Sequence, residues 1–521
     1  MTHPTTRLIV LLTVLALIAA ACSNDSAEQA SSADESEQVE PEVEALDATT
    51  TSTTSPTTTA STTTSTTTTT VPPTTTTQRD FSGTEIEVVV FDNPTMDLIT
   101  DLTPEFFTGP TGIDVEFINF DEVRVSAREL VNVDAIARPN SDVIMLSPFE
   151  SSQFGANGWL HDSSDLVDRE EDESFDVESF IPSVVRVNSA EVTPQLRPNT
   201  VETELFAVPF YAESSIIMYN QQIIDEAGIT FPEQPTWQQV ANIARQLHTD
   251  EVTGICMRGI PEWDELGAAL TTVVNTFGGT WWEFDETREY GNVGEPQINQ
   301  PDSGFRAATD FYLNLASDAG PDNFAETGFD QCLEQFQNGD AAIWYDSTAA
   351  PALLEALNSP IAGNVGYARA PIAQTEASGA LFTWGLASWR GAQSPEAGGE
   401  FIRWATSPDT IRLLAEQAPD GWSDPAVIGA ATRTSHFDIP ELRAAAEPYG
   451  DIVLDELNAA DPNNPGTTQR PGTPGIQYVG IPEFQQIATD CTVEFSAAVQ
   501  GSITIDQALN TCQVTASEVS R

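Results

Sequence analysis

The sequence predicts an α/β fold. Three observations support this prediction: β-branched runs of strand length, amphipathic segments of helical length, and a repeated alternation of the two along the chain. Strands that alternate with helices are typical of βαβ units, in which a helix connects two parallel strands. We therefore expect a largely parallel sheet with helices packed on its faces.

The predicted elements follow in order from residue 85. The run 85–92 (EIEVVVFD) is rich in β-branched residues, which favours a buried strand, and 113–120 alternates between apolar and polar residues as a half-buried strand does. Thr236 is a favourable N-cap for the helix that follows it. The predicted strands are 85–92, 113–120, 142–146, 341–345, 365–368 and 381–387. The predicted helices are 98–107, 236–247, 268–277 and 304–316.

The chain is strongly acidic. Its 521 residues include 79 Asp and Glu and 20 basic residues, all of them Arg, for a net charge of −59. The lack of lysine excludes nucleotide binding through a P-loop lysine and excludes Schiff-base chemistry. The acidity argues against nucleic acid as a partner, because phosphates are neutralised by clustered Lys and Arg. It also argues against electrostatic docking on anionic lipid.

Residues 1–21 are predicted to be a signal peptide. An apolar run from Leu8 to Ala21 ends at Cys22, and as a helix it would extend only about 21 Å, too short to span a bilayer. The segment 18–22 (IAAAC) resembles a bacterial lipobox, so Cys22 is the expected lipidation site. The alternative is an ordinary signal peptide cleaved after Ala21. We expect an exported protein, anchored by lipid at the outer face of the cytoplasmic membrane, in a periplasm or at a cell surface.

Residues 22–80 are predicted to be a disordered tether. The stretch 23–48 is polar and acidic, and 49–77 consists mostly of Thr with Ser and Pro. Neither stretch carries enough apolar side chains to offset the entropy that folding removes. The tether would connect the lipid anchor to a globular part that begins at residue 81.

The cysteines predict two disulfides. Without the lipidated residue four cysteines remain, which allow three pairings. Cys491 and Cys512 flank a predicted helical hairpin with its turn at 501–502, which favours their pairing. This leaves Cys256 to pair with Cys332. Four scattered histidines and the lack of a CxxC spacing predict neither a metal site nor a cofactor.

Aromatic residues accompany polar and charged ones in several short segments. Aromatic rings pack on the C–H faces of sugars, and carboxylates and Arg form paired hydrogen bonds with adjacent hydroxyls. The segments are 208–215 (VPFYAESS), 254–263 (GICMRGIPEW), 274–279 (VNTFGG), 343–348 (IWYDST) and 382–386 (FTWGL).

In order and spacing, these segments resemble those of the extracellular solute-binding proteins of family 1, which feed ABC importers of sugars. The polyol-binding subgroup, for mannitol and sorbitol, is the most similar, and the resemblance covers nearly all of residues 84–490. It implies two α/β lobes joined by a hinge, with a ligand cleft between them. Mapped on this chain, lobe 1 covers 81–207 and 388–417, and lobe 2 covers 212–382 and 418–521.

The resemblance also implies a set of ligand-binding residues, and ligands of open α/β sheets do bind beyond the carboxyl ends of strands. Alternative roles remain open: Glu213 and Trp384 would brace or fill the hinge, and Arg258 would pair with a cleft carboxylate. Asn93 would be a turn residue and Glu150 a helix N-cap. The candidates are Asn93, Glu150, Glu213, Arg258, Trp263, Asp346, Trp384, Trp422 and Arg433.

The function implied is the substrate-binding component of an ABC importer. Such a protein captures a polyol or sugar by hinge closure and delivers it to a membrane permease, without catalysis, and we expect a monomer. The alternative is an exported glycoside hydrolase, which needs two carboxylates across the scissile bond. Glu150, Glu213 and Asp346 are the residues that would supply such a pair.

Overall fold

The computed structural model describes most of the chain from residue 80 onward. The predicted signal peptide, Cys22 and the tether through residue 79 lie outside the described residues. No helix in the described ranges combines the length and apolar character needed to cross a membrane. The described residues are 80–91, 93–120, 141–167, 175–191, 203–283, 293–376, 379–462, 464–466 and 476–518.

The strands form two main sheets and one short pair. The larger sheet has the order β2-β1-β3-β10-β6, the smaller one has the order β8-β7-β9, and β4 pairs with β5. The strands are β1 (Thr84–Phe91), β2 (Ile113–Phe120), β3 (Val143–Leu146), β4 (Ser189–Glu191), β5 (Thr203–Leu205), β6 (Val208–Glu213), β7 (Ser215–Asn220), β8 (Ile343–Ser347), β9 (Val365–Arg369) and β10 (Phe382–Ser388).

Helices cover both sheets. Those before residue 300 are α1 (Pro94–Thr103), α2 (Gly109–Thr111), α3 (Pro148–Ala156), α4 (Ser163–Val167), α5 (Pro182–Val187), α6 (Gln221–Glu226), α7 (Trp237–Leu247) and α8 (Ala268–Thr276). Those after it are α9 (Gly304–Ala319), α10 (Phe329–Gln337), α11 (Ala350–Leu354), α12 (Pro395–Ala405), α13 (Thr410–Gln417), α14 (Pro425–Gly429), α15 (Pro440–Ala445), α16 (Gly450–Ala459), α17 (Phe484–Val499) and α18 (Ile505–Ser517). Short π-helical turns are Pro104–Thr108 and Trp263–Gly267, and 3₁₀ turns are Val177–Ser179, Phe324–Glu326, Gly421–Ser423 and Thr434–Asp438.

The predicted strands and helices are confirmed within a few residues at their ends. The N-cap prediction holds as well: the Thr236 hydroxyl accepts from the Gln239 backbone N–H at 3.2 Å, and the Gln239 side chain accepts from the Thr236 N–H at 2.8 Å. This reciprocal pair is a capping box, which satisfies two N–H groups that the helix itself leaves without partners.

The predicted parallel sheet is wrong for most of the pairing. β1 is parallel to β2 and β3, but β10 is antiparallel to β3 and β6, and β7 is antiparallel to β8 and β9. The reason lies in the connections. β7 and β10, the two strands that run antiparallel to their neighbours, each enter their sheet from the other one: β7 follows β6 through Ser214 alone, and β10 follows β9. Their direction is therefore not set by a βαβ crossover within one sheet.

Each main sheet is the centre of one lobe. Val88, Val90 and Phe401 belong to the core of the larger sheet, and Trp237 and Leu270 belong to the core of the smaller one. The two lobes give the chain an α/β two-lobe fold.

The C-terminal part of the chain packs against both lobes. Val427 and Leu442 belong to the core of the larger sheet, although they fall in the segment predicted for lobe 2. Phe484 and Leu509 pack in the core of the smaller sheet. The exact lobe limits stay a prediction.

Both predicted disulfides are confirmed. Cys491 in α17 bonds to Cys512 in α18, which closes the helical hairpin, and Cys256 bonds to Cys332 in α10. All four residues are buried.

Candidate ligand-binding site

A cavity of about 440 Å³ opens between the two lobes. Phe91 and Phe149 of the larger-sheet lobe line it, Arg258 and Asp346 line it from the smaller-sheet lobe, and Trp384 of β10 lines it where the chain crosses between them. The volume falls within the roughly 300–1,000 Å³ that small-molecule sites occupy. The cavity therefore has the size and the position of a ligand cleft.

Arg258 and Asp346 form the charged part of the cavity wall. The guanidinium donates from Nη2 to Asp346 Oδ1 at 2.6 Å and from Nε to Asp346 Oδ2 at 2.9 Å, which makes a bidentate ion pair. The carboxylate also accepts from the Trp344 indole N–H at 3.2 Å and from the Ser347 backbone N–H at 2.7 Å. Asp346 is 6% exposed, so these four donors replace nearly all of its hydration.

Further partners surround Arg258. Its Nη1 donates to Glu265 Oε2 at 3.3 Å, and the guanidinium lies 5.3 Å from the centre of the Phe329 ring. Burial opposes the charged form, but the attraction of Asp346, Glu265 and Glu213 outweighs it and raises the pKa of Arg258 well above its ordinary value. A permanently charged guanidinium thus faces the cavity with its donors already oriented.

Glu213 is the last residue of β6 and lies where the chain crosses from the larger-sheet lobe to the smaller-sheet lobe. Its Oε2 accepts from the Tyr211 hydroxyl at 2.9 Å and from the Ser347 hydroxyl at 2.5 Å. Burial raises the pKa of Glu213, while the hydrogen bond from Ser347, the charge of Arg258 and the hydrogen bond from Tyr211 oppose that rise. Because Ser347 belongs to β8, this carboxylate connects the crossing strand to the smaller-sheet lobe.

The raised pKa of Glu213 predicts a pH-dependent stability. The folded state holds the proton more tightly than the unfolded state, so the group stabilises the fold below its ordinary pKa and loses that contribution as the pH rises. Between about pH 4 and about pH 7 we expect the Tm of wild type to fall relative to that of Glu213→Gln. The exposed Glu326, changed to Gln, is the control. A Tm difference between wild type and Glu213→Gln that does not change with pH would contradict this assignment.

A second polar group lines the smaller-sheet side of the cavity. The Tyr345 hydroxyl contacts the Thr272 hydroxyl at 2.9 Å and donates to Ser215 Oγ at 3.2 Å. Burial raises the pKa of Tyr345 to about 12, so the hydroxyl keeps its proton at neutral pH. The neutral hydroxyls in this wall suit an uncharged, hydroxylated ligand.

Aromatic rings form the rest of the wall and bring the lobes into contact. Phe149 lies 5.6 Å from Trp263 and 5.6 Å from Tyr478, measured between ring centres. Trp384 lies 5.6 Å from Phe91. Because Phe149 comes from the larger-sheet lobe and packs in the core cluster of the smaller one, the lobes touch at one edge of the cavity.

The structure brings five predicted residues together and leaves four outside the cavity lining. The five that line the cavity are Glu213, Arg258, Trp263, Asp346 and Trp384. The four that do not line it are Asn93, Glu150, Trp422 and Arg433.

Two of these four residues cap helices. The Asn93 side chain accepts from the backbone N–H groups of Thr95 and Met96 at the start of α1, at 3.0 and 3.2 Å. Glu150 accepts from the Ser147 backbone N–H at 3.1 Å and forms a capping box with that residue at the start of α3. Both side chains are buried, and the capping bonds account for Asn93 Oδ1 and Glu150 Oε2.

The other two residues pack within the larger-sheet lobe. Arg433 is fully buried, donates to the backbone oxygens of Asp176 and Thr406 at 2.6 and 2.9 Å, and lies over the Phe180 ring at 3.6 Å. The ring of Trp422 is 6.0 Å from the Arg412 guanidinium. Their roles as ligand contacts stay a prediction.

Sequence reasoning missed other members of the wall. Tyr211 and Ser347 orient Glu213, Glu265 and Phe329 hold Arg258, and Tyr478 faces Phe149. Tyr211 and Ser347 stand in segments that the sequence singled out, two residues or fewer from a predicted site residue, so proximity was an available signal. Phe329 carries no such signal, because it reaches the site from a distant helix.

A two-lobe α/β fold with a polar, aromatic-walled cavity at the crossing defines a solute-binding protein. The chain belongs to the bacterial extracellular solute-binding proteins, whose family pattern matches residues 97–411. A mannitol-binding protein of Pseudomonas aeruginosa is 33% identical over 385 residues, which cover 73% of this chain and 80% of the relative.

Two further relatives resemble the chain. An ABC transporter solute-binding protein from Agrobacterium vitis, solved with bound D-mannitol, has 33% sequence identity and a TM-score of 0.70, covering 84% of this chain and 98% of its own. An erythritol/L-threitol-binding protein of Mycolicibacterium smegmatis is 23% identical over 386 residues, which cover 71% of this chain and 75% of that protein.

Proposed function

We propose that this protein is the substrate-binding component of an ABC importer and that its ligand is a polyol, with hexitols such as mannitol first among the candidates. The observation that carries the proposal is the Arg258–Asp346 pair, which lies beside Glu213 in a cavity walled by aromatic rings. Adjacent hydroxyls of a linear polyol match a planar fork of donors and a carboxylate. The relatives that bind mannitol support the same ligand class.

The proposed mechanism is closure of the lobes on the ligand. The ligand contacts Arg258 and Asp346 of one lobe and rings such as Phe91 of the other lobe at the same time only when the cavity is closed. To shift the population from 1:99 to 99:1 in favour of the closed form, the ligand must prefer it by about 5.5 kcal/mol. Several charge-assisted hydrogen bonds of about 1.5–3 kcal/mol each are enough for this preference. The closed form would then dock on the permease.

The glycoside hydrolase alternative finds less support. Glu150 lies outside the cavity lining, and both oxygens of Asp346 accept from Arg258. Only Glu213 and Asp346 of the predicted trio line the cavity, and Ser347 donates to both, so the two carboxylates lie side by side rather than on opposite faces of a scissile bond. The family and the relatives are binding proteins. We propose that this chain, too, has no catalytic activity.

A thermal-shift panel tests the proposed function. Hexitols, pentitols and monosaccharides are added singly to the purified protein, and a ligand present at 100 times its Kd should stabilise the fold by about 2.7 kcal/mol. We expect at least one polyol to raise the Tm more than the monosaccharides do. A panel in which no polyol raises the Tm would contradict the proposal, and release of reducing sugar from oligosaccharides would favour the hydrolase instead.

We also propose that Cys22 carries a lipid that holds the protein at the outer face of the cytoplasmic membrane, as a monomer. Cys22→Ser should then move the protein from the membrane fraction to the soluble exported fraction with its ligand affinity unchanged. Fractionation followed by titration of the released protein measures both. If Cys22→Ser stays with the membrane, or if wild type is itself found in the soluble fraction, the anchor is absent.

A further inference from the structure

The Cys256–Cys332 disulfide lies directly behind the charged wall of the cavity. Cys256 precedes Arg258 by two residues, and its backbone N–H donates to Ile343 O at 2.8 Å on β8, the strand that carries Asp346. Both cysteines are fully buried. The disulfide therefore fixes the Arg258 segment where this segment runs beside β8, the strand that carries Asp346.

The other end of the bond lies on a helix that also contacts the Arg258 guanidinium. Cys332 lies on α10, and the first residue of that helix, Phe329, places its ring 5.3 Å from the Arg258 guanidinium. Just before the helix, Thr327 O accepts from the backbone N–H groups of Gly259 and Ile260 at 2.7 and 3.1 Å. The chain is thus held on both sides of Arg258: before it by the disulfide at Cys256, and after it by the backbone hydrogen bonds of Gly259 and Ile260.

The glycine at 259 shows how closely these segments approach. A Cβ atom built there would lie 2.1 Å from Phe324 O, so no side chain fits between the Arg258 segment and the turn before α10. Such tight packing transmits a displacement of α10 to the residues beside it.

We infer that the Cys256–Cys332 disulfide positions Arg258 and Phe329 for ligand binding, so that ligand affinity depends on this bond. The cysteines are positioning residues, since neither lines the cavity. Binding groups must be held to within roughly 0.5 Å by the residues around them, and a site that is loosened beyond this loses affinity although all its groups are present. The inference rests on the proposed function, because it requires a ligand that contacts Arg258.

The second disulfide provides a matched control. Cys491 and Cys512 are also buried and also close a loop, but they join α17 to α18, and no residue of either helix lines the cavity. Removing either disulfide increases the conformational entropy of the unfolded chain and therefore lowers the stability of the fold. Only the first is expected to change the site itself.

The test compares both cysteine pairs, each changed to alanine, in calorimetric titrations with the polyol that gave the largest thermal shift, at a temperature where circular dichroism shows every variant folded. We expect Cys256→Ala/Cys332→Ala to raise the Kd at least about tenfold and Cys491→Ala/Cys512→Ala to change it less than about twofold. In an Arg258→Ala background, loss of the first disulfide should add little further, because both changes act through one guanidinium.

Several outcomes would overturn the inference. Wild-type affinity in Cys256→Ala/Cys332→Ala would do so, as would equal losses in the two cysteine variants or full additivity with Arg258→Ala. If the first cysteine variant does not fold, Cys256→Ala/Cys332→Val replaces it in the same titration, because the larger side chain fills more of the buried volume that the disulfide leaves. A rise in Kd of at least about tenfold for this variant supports the inference, and an unchanged Kd overturns it. Failure of wild type to bind any polyol would instead mark the failure of the proposed function.

Discussion

Changing Asp346 to alanine should lower the free energy of unfolding by about 3–5 kcal/mol, because it leaves Arg258 as a buried charge without its main partner. The change also removes the acceptor of the Trp344 indole and Ser347 backbone N–H groups. Glu265, at 3.3 Å from Arg258 Nη1, is a weaker partner than the carboxylate it would have to replace. Urea unfolding with and without ligand measures the loss.

An exposed ion pair is the control for this prediction. Arg245 and Asp318 are 2.9 Å apart, with side chains 37% and 53% exposed. Asp318→Ala should cost less than about 1 kcal/mol, since water and salt screen such pairs. A loss for Asp346→Ala as small as that for Asp318→Ala would mean that the buried pair contributes little to the fold.

Changing Trp384 to alanine should weaken polyol binding by about tenfold or more, the second large effect. The indole is half-buried in the cavity wall, 5.6 Å from Phe91 and 5.2 Å from Phe382 between ring centres. Its removal takes away the apolar surface on which we expect the C–H face of the ligand to pack, and ring contacts are worth about 0.5–1.5 kcal/mol beyond the area they bury. Calorimetric titration measures the change in Kd.

Trp159 provides a comparison within the same chain. It is 38% exposed, packs on Phe154 at 5.6 Å between ring centres, and does not line the cavity. Trp159→Ala should leave the Kd within about twofold of wild type. If both tryptophan variants bind as wild type does, the aromatic wall does not contact the ligand.

The charged pair of the cavity was among the residues that the family resemblance implied. The structure agrees with their expected position: Asp346 lies near the carboxyl end of β8, and Arg258 follows a segment that runs beside β8. Their mutual pairing was the open alternative for Arg258. The sequence did not show that four donors surround the Asp346 carboxylate, because one of these is an indole and another a backbone N–H whose positions depend on the folded strand.

A polar residue at a strand end can also cap the helix that begins immediately afterwards. Asn93 and Glu150 stay predicted ligand contacts, but neither lines the cavity: Asn93 accepts from backbone N–H groups in the first turn of α1, and Glu150 accepts from the backbone N–H of Ser147, the N-cap of α3. The capping pattern was visible in the sequence, as Asn before Pro and as Ser147 three residues before Glu150.

Arg433 and the mixed sheet could not be predicted for a different reason. The partners of Arg433 are backbone oxygens of Asp176 and Thr406, which the fold brings together from distant positions. The antiparallel pairing of β10 depends likewise on where the chain returns from the other lobe. Local patterns carry no information about such long-range contacts, so only the three-dimensional structure shows them.

A crystal structure of the protein with the polyol that gave the largest thermal shift is the decisive test of the proposed binding site. We expect one polyol in the cavity between the lobes, with hydroxyl oxygens within hydrogen-bond distance of Arg258, Asp346 or Glu213 and a carbon face against Trp384. A polyol bound elsewhere on the protein, or an empty cavity at a concentration that saturates the thermal shift, would contradict it.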